Sequence, residues 1–191
     1  MKHFRRQLLL GVVAMGILAS LVSACSSTQK KPSYVSGYLE ALEDRSGEVV
    51  SKQAVSGFTK LFSDLKQDDL ENAVRNAYSR EFYFNDTFRS INQIDDLVEY
   101  FLQTSENING TKVYIEDIVQ SNSDFYVRWI MDIDFETLNK KINTRSIGMS
   151  HLRFNNEGKI ILHQDYWDNT DAFFRHLPLV GYMVTRVHNR L

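Results

Sequence analysis

The stretch Met149-Ser150-His151-Leu152-Arg153-Phe154, Asn155-Asn156-Glu157-Gly158, Lys159-Ile160-Ile161-Leu162-His163-Gln164-Asp165-Tyr166-Trp167-Asp168 decides the fold. Two runs rich in β-branched and aromatic residues flank a turn signal, the pattern of an antiparallel hairpin. Side chains alternate faces along an extended strand. His163, Asp165 and Trp167 therefore share one face of the last strand, and Gln164, Tyr166 and Asp168 share the other. A three-residue loop over Asn156 to Gly158 sets His151 opposite His163; a four-residue loop shifts the pairing by one and turns His151 away.

The pattern of short connections continues upstream. Strands are expected over Lys112 to Gln120, Asp124 to Leu138, Lys141 to Phe154 and Lys159 to Asp168, joined by Ser121-Asn122-Ser123, Asn139-Lys140 and Asn155 to Gly158. Such hairpin-length links predict an antiparallel meander. Helices precede it. Val50, Ala54, Phe58, Leu61, Phe62 and Leu65 recur at three- and four-residue steps, and Asp68 is a candidate N-cap for a second helix with Leu70, Val74 and Ala77 inward. Arg80 to Asp86 reads as a short strand. A third helix from about Asn92 turns Ile94, Leu97, Val98, Phe101 and Leu102 to one side, and Asn109-Gly110 is a turn signal. After the sheet, Asp171 to His176 suits a helical turn. Pro178 suits the first position of a terminal helix carrying Leu179, Val180, Met183, Val184 and Val187. Helices first and a long antiparallel sheet afterwards is an α+β signature. A curved sheet wrapped around helices encloses a cone with one open end, where a small molecule fits.

The chain begins with an address. Lys2, Arg5 and Arg6 precede an uncharged apolar run from Leu8 to Leu21, the layout of a signal peptide over residues 1–24. Val22-Ser23-Ala24-Cys25 contains the one cysteine of the 191-residue chain and resembles the lipobox of bacterial lipoproteins, which implies diacylglycerol and palmitate on Cys25. Ser26 after the cysteine, by resemblance to Gram-negative sorting rules, implies an outer-membrane anchor with the domain in the periplasm. Residues 25–48 read as a lipidated cysteine and polar tether, in which Tyr38, Leu39 and Leu42 are the candidates for a short helix. Residues 49–191 read as one domain. Loss of the leader removes three basic residues and no acid, so the formal charge of −2 becomes three units more negative. Nothing marks a nucleic-acid binder.

The element order and the segments Ser150-His151-Leu152-Arg153-Phe154, Gly158 to Asp168 and His176-Leu177-Pro178-Leu179-Val180-Gly181 resemble the nuclear-transport-factor-2-like superfamily, the SnoaL-like proteins in particular, over roughly Val49 to Leu191. The resemblance implies a cone-shaped α+β barrel, a cystatin-like roll, often dimeric through its sheet. It implies no single reaction, because the same cone serves isomerases, cyclases, hydrolases and plain binding modules.

Catalytic patterns from relatives map incompletely. Limonene epoxide hydrolases use an Arg and two Asp. Asp165 falls on one Asp position, while Trp129 and Met131 occupy the places of the other two groups, and Arg128 and Asp132 point to the opposite face. A proton-shuttling pair is available in His163 and Asp165, and Asp86 sits where ketosteroid isomerases place a base. For each the alternative is structural: Asp165 hydrogen-bonded near the barrel mouth, His163 a core histidine, Asp86 a turn residue. Trp129, Met131, Phe84 and Trp167 are the expected ligand-lining side chains, with His151 joining them in one of its two registers. His151, His163 and Asp165 match no metal-binding spacing, so neither metal nor cofactor is expected. Two function classes follow. One is a module binding a small apolar or amphipathic molecule. The other is an isomerase, cyclase or hydrolase working through Asp165 and His163 with Asp86 as a second carboxylate. An envelope protein-interaction module is a third, and would show an exposed apolar patch on the outer face of the sheet.

Overall fold

A computed structural model of the chain describes residues 33–190. The expected leader, the expected lipidation at Cys25 and the first part of the expected tether lie outside these residues. From Tyr34 onward the chain forms one compact unit. Its helices are α1 (Tyr34–Asp44), α2 (Val55–Ser63), α3 (Leu70–Ala77), α4 (Ile94–Asn107), α5 (Asn169–Ala172) and α6 (Val180–His188). Its strands are β1 (Tyr78–Asn85), β2 (Ser90–Ile91), β3 (Ile108–Ser121), β4 (Asp124–Thr137), β5 (Lys140–Phe154) and β6 (Ile160–Trp167). The sheet order is β2-β1-β6-β5-β4-β3.

The expected meander is the long half of this sheet. Where the sequence pattern implied antiparallel pairing throughout, β1 instead lies parallel to β6, with Phe84 opposite His163 and Asn85 opposite Gln164. The pairing is non-local, so no turn signal announces it. The inner face packs on α2, α3 and α4 through Phe58, Leu61, Val74, Leu97 and Phe101, all buried. These are the positions the helical periodicity selected. Leu102, placed on the same stripe by spacing, is 40% exposed.

Four further features depart from the sequence reading. Asn109-Gly110 is not a turn but lies inside β3, at a register shift between Ile108 and Gly110. A glycine within a strand marks such a bulge as readily as a loop. The tether, expected to run to residue 48, is helical from Tyr34, and α1 packs on the outer face of the sheet. Arg153 Nη1 donates to the Leu42 and Arg45 carbonyls at 2.8 and 2.9 Å, which holds the end of α1, and Tyr38 Oη bonds His151 Nδ1 at 2.8 Å. Pro178 is not the first helical residue. Leu179 follows it with φ 62°, and α6 starts at Val180. Lastly, α6 does not bury its apolar stripe. Leu179, Tyr182, Met183 and Val187 are more than 60% exposed.

The hairpin between β5 and β6 decides which residues face the cone. Asn155 N donates to Lys159 O at 2.9 Å, and Gly158 adopts φ 74°, a left-handed conformation natural to glycine. The loop is thus Asn156 to Gly158, and Phe154 pairs with Ile160. Continued unbroken, this register would set His151 opposite His163. An extra residue at Ile161 shifts it by one, so that Leu152 faces His163, His151 faces Gln164 and Ser150 faces Asp165.

Candidate functional site: an aromatic cavity floored by Asp165

Asp165 is 7% exposed and lies on the inner face of β6. Its Oδ1 accepts from Ser150 Oγ at 2.5 Å and from His163 Nε2 at 2.7 Å. Behind it, the Tyr78 hydroxyl lies 2.6 Å from His163 Nδ1. Burial pushes the Tyr78 hydroxyl well above its usual range, with the Asp165 charge adding to the effect. The phenol therefore keeps its proton, and the imidazole bridges it to the carboxylate, with Nε2 toward Asp165. On the other side, Trp129 Nε1 donates to Ser150 Oγ at 3.0 Å. The result is a polar chain, Tyr78–His163–Asp165 and Trp129–Ser150–Asp165, converging on one carboxylate oxygen. Oδ2 is left for the space in front of it.

That space is a cavity of about 120 Å³. Its walls are largely aromatic, with Phe58, Phe62, Phe101, Trp129 and Trp167 among them, and Phe88, 40% exposed, stands at the rim. Trp129 occupies its wall because of a register accident. It pairs with Gly148 across β4 and β5, and Gly148 pairs with Trp167. The indole of Trp129 lies over Gly148 where a Cβ would sit 2.3 Å from Cη2, so only glycine leaves room for it.

Asp86 also lines the cavity, just past the end of β1. Its Oδ1 accepts from the backbone N–H groups of Phe88 and Arg89 at 3.0 and 2.9 Å, closing a turn, and its Oδ2 accepts from the Tyr100 hydroxyl. Burial raises its pKa above the usual aspartate value. The Tyr100 and backbone hydrogen bonds oppose that shift, and the Asp165 charge reinforces it. Burial likewise raises Tyr100.

The polar lining is one-sided. Among the described residues, no Lys, Arg or His lines the cavity. Trp167 Nε1 donates to Asp86 O at 2.8 Å, and Thr104 Oγ1 donates to Tyr100 O at 2.8 Å. With Trp129, Ser150 and Tyr100 engaged as above, the only side-chain hydroxyl without a named acceptor is Thr111, which itself accepts from Leu65 N at 3.2 Å. The cavity offers acceptors and π faces, and almost no donors.

Among the candidates, Asp165, Asp86, Trp129, Met131 and Trp167 line the cavity. His163 is fully buried one layer behind, in edge contact with Phe84 at 5.0 Å between centroids. Phe84, expected on the wall, is core. His151, expected as a possible lining residue, lies on the outer face for the reason given by the bulge. It stacks on Tyr126, and its Nε2 lies 2.7 Å from Asp124 Oδ1. Arg128 and Asp132 do face outward, with Asp132 paired to Arg145 at 2.7 Å. Sequence reasoning gave no role to Ser150, Tyr78 or Tyr100. Ser150 is recognisable only once the bulged register is known. Among the described residues, no group of three or more His, Cys, Asp or Glu side chains is placed to share an ion. No described helix is long and apolar enough to cross a membrane.

Solved structures with this architecture are numerous. A protein described as a SnoaL-like polyketide cyclase from Shewanella denitrificans OS-217 superposes with a TM-score of 0.55 at 14% identity, covering 72% of this chain and 96% of that one. A protein with a ketosteroid-isomerase-like fold from Catenulispora acidiphila, in complex with trimethylamine, gives 0.54 at 12% identity over 64% and 91%. A protein described as an LEH-like epoxide hydrolase from M. tuberculosis gives 0.51 at 16% identity over 72% and 94%. No protein-family model matches the sequence, and the comparison with curated proteins finds no match. The domain has the nuclear-transport-factor-2-like, SnoaL-like fold.

Proposed function

We propose that this is a lipid-anchored, periplasm-facing module whose cone binds one small apolar or amphipathic molecule without transforming it. One observation carries the reading: an aromatic cavity in which, among the described residues, the side-chain polar groups left for a ligand are the Asp165 Oδ2 oxygen and the Thr111 hydroxyl proton. Such a site has the composition of a binding pocket, apolar walls with few orienting polar groups. The volume is of the order of the ~150 Å³ apolar cavities that accept a benzene ring. That a protein of this fold is in complex with trimethylamine is in keeping with a ligand of few heavy atoms.

The catalytic alternative meets two physical obstacles. Isomerisation, aldol-type cyclisation or epoxide opening places developing negative charge on a substrate oxygen, and that oxygen needs donors aimed at it. The lining holds only the Thr111 hydroxyl. The relay behind Asp165 also ends at Tyr78, 1% exposed, so it has no outlet for a proton. His163 and Tyr78 act here by orienting a carboxylate.

Native mass spectrometry of the full chain released from detergent tests the proposal. A co-purifying species of low mass, lost in Trp129→Ala, is the expected result. A chain that carries nothing and whose cavity stays empty across a panel of single-ring and short-chain compounds overturns it.

A further inference from the structure

We propose that the cavity selects a free cation: an ammonium group carrying short apolar substituents, its substituents against the aromatic walls and its charge toward Asp165. This rests on the binding reading above and narrows it to one ligand class.

The charge balance points this way. Two carboxylates, Asp86 and Asp165, line the space, and among the described residues no Lys or Arg side chain does. A buried carboxylate without a counter-charge is unfavourable. The contacts the protein makes to the two come from Ser150, His163 Nε2, Tyr100 and backbone N–H groups. An ammonium ion would bring a positive charge to the cavity side of both carboxylates. Its approach also suits the walls. Both indole N–H groups are turned into protein partners, Ser150 Oγ and the Asp86 carbonyl, so Trp129 and Trp167 present ring surface to the cavity rather than donors. Aromatic faces attract cations, Trp most of all, and more strongly when water is excluded.

Other ligand classes fit less well. An anion meets two carboxylates. A carbonyl or ether oxygen finds only the Thr111 hydroxyl. A neutral alcohol can donate to Asp165 but brings no charge to either carboxylate. A phospholipid head group would bring its phosphate to the rim, beside Asp86, and is disfavoured for that reason.

The test uses the full chain in a non-ionic detergent. The chain has two tryptophans, Trp129 and Trp167, and both line the cavity, so intrinsic emission reads occupancy directly. Three probes are titrated: choline, its uncharged carbon isostere 3,3-dimethyl-1-butanol, and phosphocholine. Choline is expected to bind at least about tenfold more tightly than the isostere, and phosphocholine more weakly than choline. The preference should fall to threefold or less in Asp165→Asn, with an unchanged circular dichroism spectrum. Should that variant not fold, Asp86→Asn, which keeps an acceptor for the turn, is expected to weaken choline and spare the isostere. Equal affinities for choline and its isostere would overturn the cation inference and leave the binding reading intact. Phosphocholine binding as tightly as choline would also overturn it, in favour of a lipid head group. Silence from all three probes beside a co-purifying neutral molecule would again sink the cation inference alone.

Discussion

Replacing Gly148 by alanine is a small change with a large expected effect, because the cavity wall rests on the missing Cβ. The added methyl would lie 2.3, 2.4 and 2.8 Å from Cη2, Cζ2 and Cζ3 of Trp129. Ordinary carbon contacts are about 3.5–4.0 Å, so the indole must retreat by roughly 1 Å or more. It cannot slide freely, since Nε1 is tied to Ser150 Oγ at 3.0 Å and Trp129 is only 5% exposed. Overpacking of this kind costs about 1–3 kcal/mol. Alanine in a strand recovers about 0.5–1 kcal/mol relative to glycine, so the clash prevails. At the midpoints of the two ranges the net cost is about 1.25 kcal/mol; for a domain of this size 1 kcal/mol moves Tm by about 2–4 °C, which gives an expected fall of roughly 2.5–5 °C. Two assays together are decisive: thermal unfolding followed by circular dichroism, and tryptophan emission of the native state. Gly148→Ala should lower Tm, shift the emission and reduce occupancy of the cavity. An unchanged or raised Tm with native emission would refute the close approach of the two strands' side chains on which the cavity depends.

Other consequences follow from the outer face and the polar chain. Arg153 is half-buried against α1, and its Nε also donates to Asp124 Oδ1 at 2.5 Å, so Arg153→Ala should destabilise the domain by about 1.5–3 kcal/mol. Hydrogen exchange should show amide protection lost first over Tyr34 to Arg45. Ser150→Ala leaves the Trp129 indole N–H without a partner and removes a bond to Asp165, at an expected cost of about 1–3 kcal/mol; equilibrium urea unfolding measures it. Stability should also fall on mild acidification through His151. Burial lowers its pKa below 6.5, with Asp124 only partly opposing that, so the folded state holds it neutral while the unfolded chain takes up a proton. The stabilisation is therefore complete above the unfolded value and is lost as pH drops through the folded one. His151→Gln should flatten that part of the pH–stability curve. Asp124 acts lower on the scale. Burial raises it, but the Arg153 and His151 hydrogen bonds outweigh burial and hold it below 3.8, so its contribution is lost only in stronger acid.

How far these features could be read from residues alone depends on whether their cause was local. Helices α2 to α4 and strands β3 to β6 follow from hydrophobic spacing and turn residues, which are local signals. The core positions Phe58, Leu61, Val74 and Leu97 were legible for the same reason. The orientation of His163, Asp165 and Trp167 followed from alternation along one strand. Two features had non-local causes and stayed hidden, and a third was legible only in part. The bulge at Ile161 changes no composition, yet it decides that Ser150 rather than His151 stands beside Asp165. The parallel pairing of β1 with β6 joins segments far apart in sequence. Helix α1 was legible only as a candidate short helix at Tyr38, Leu39 and Leu42, because the few apolar residues of this polar stretch find partners, Tyr83 and Leu162, only in the folded sheet. The donor-poor character of the cavity was out of reach too, because it depends on where each indole and hydroxyl proton points.

The central claim is that the cone offers acceptors and aromatic faces to a small ligand and has almost nothing with which to bind an acceptor. The most direct measurement is the shift in Tm of the full chain across a matched set of single-ring and branched compounds that are cationic, neutral or anionic. A ligand that binds only the folded state raises Tm by mass action. The account predicts stabilisation by cations, weaker stabilisation by neutral donors, none by anions, and loss of the cation response in Asp165→Asn. Stabilisation by carboxylates or phosphates, or an equal response in Asp165→Asn, would contradict it.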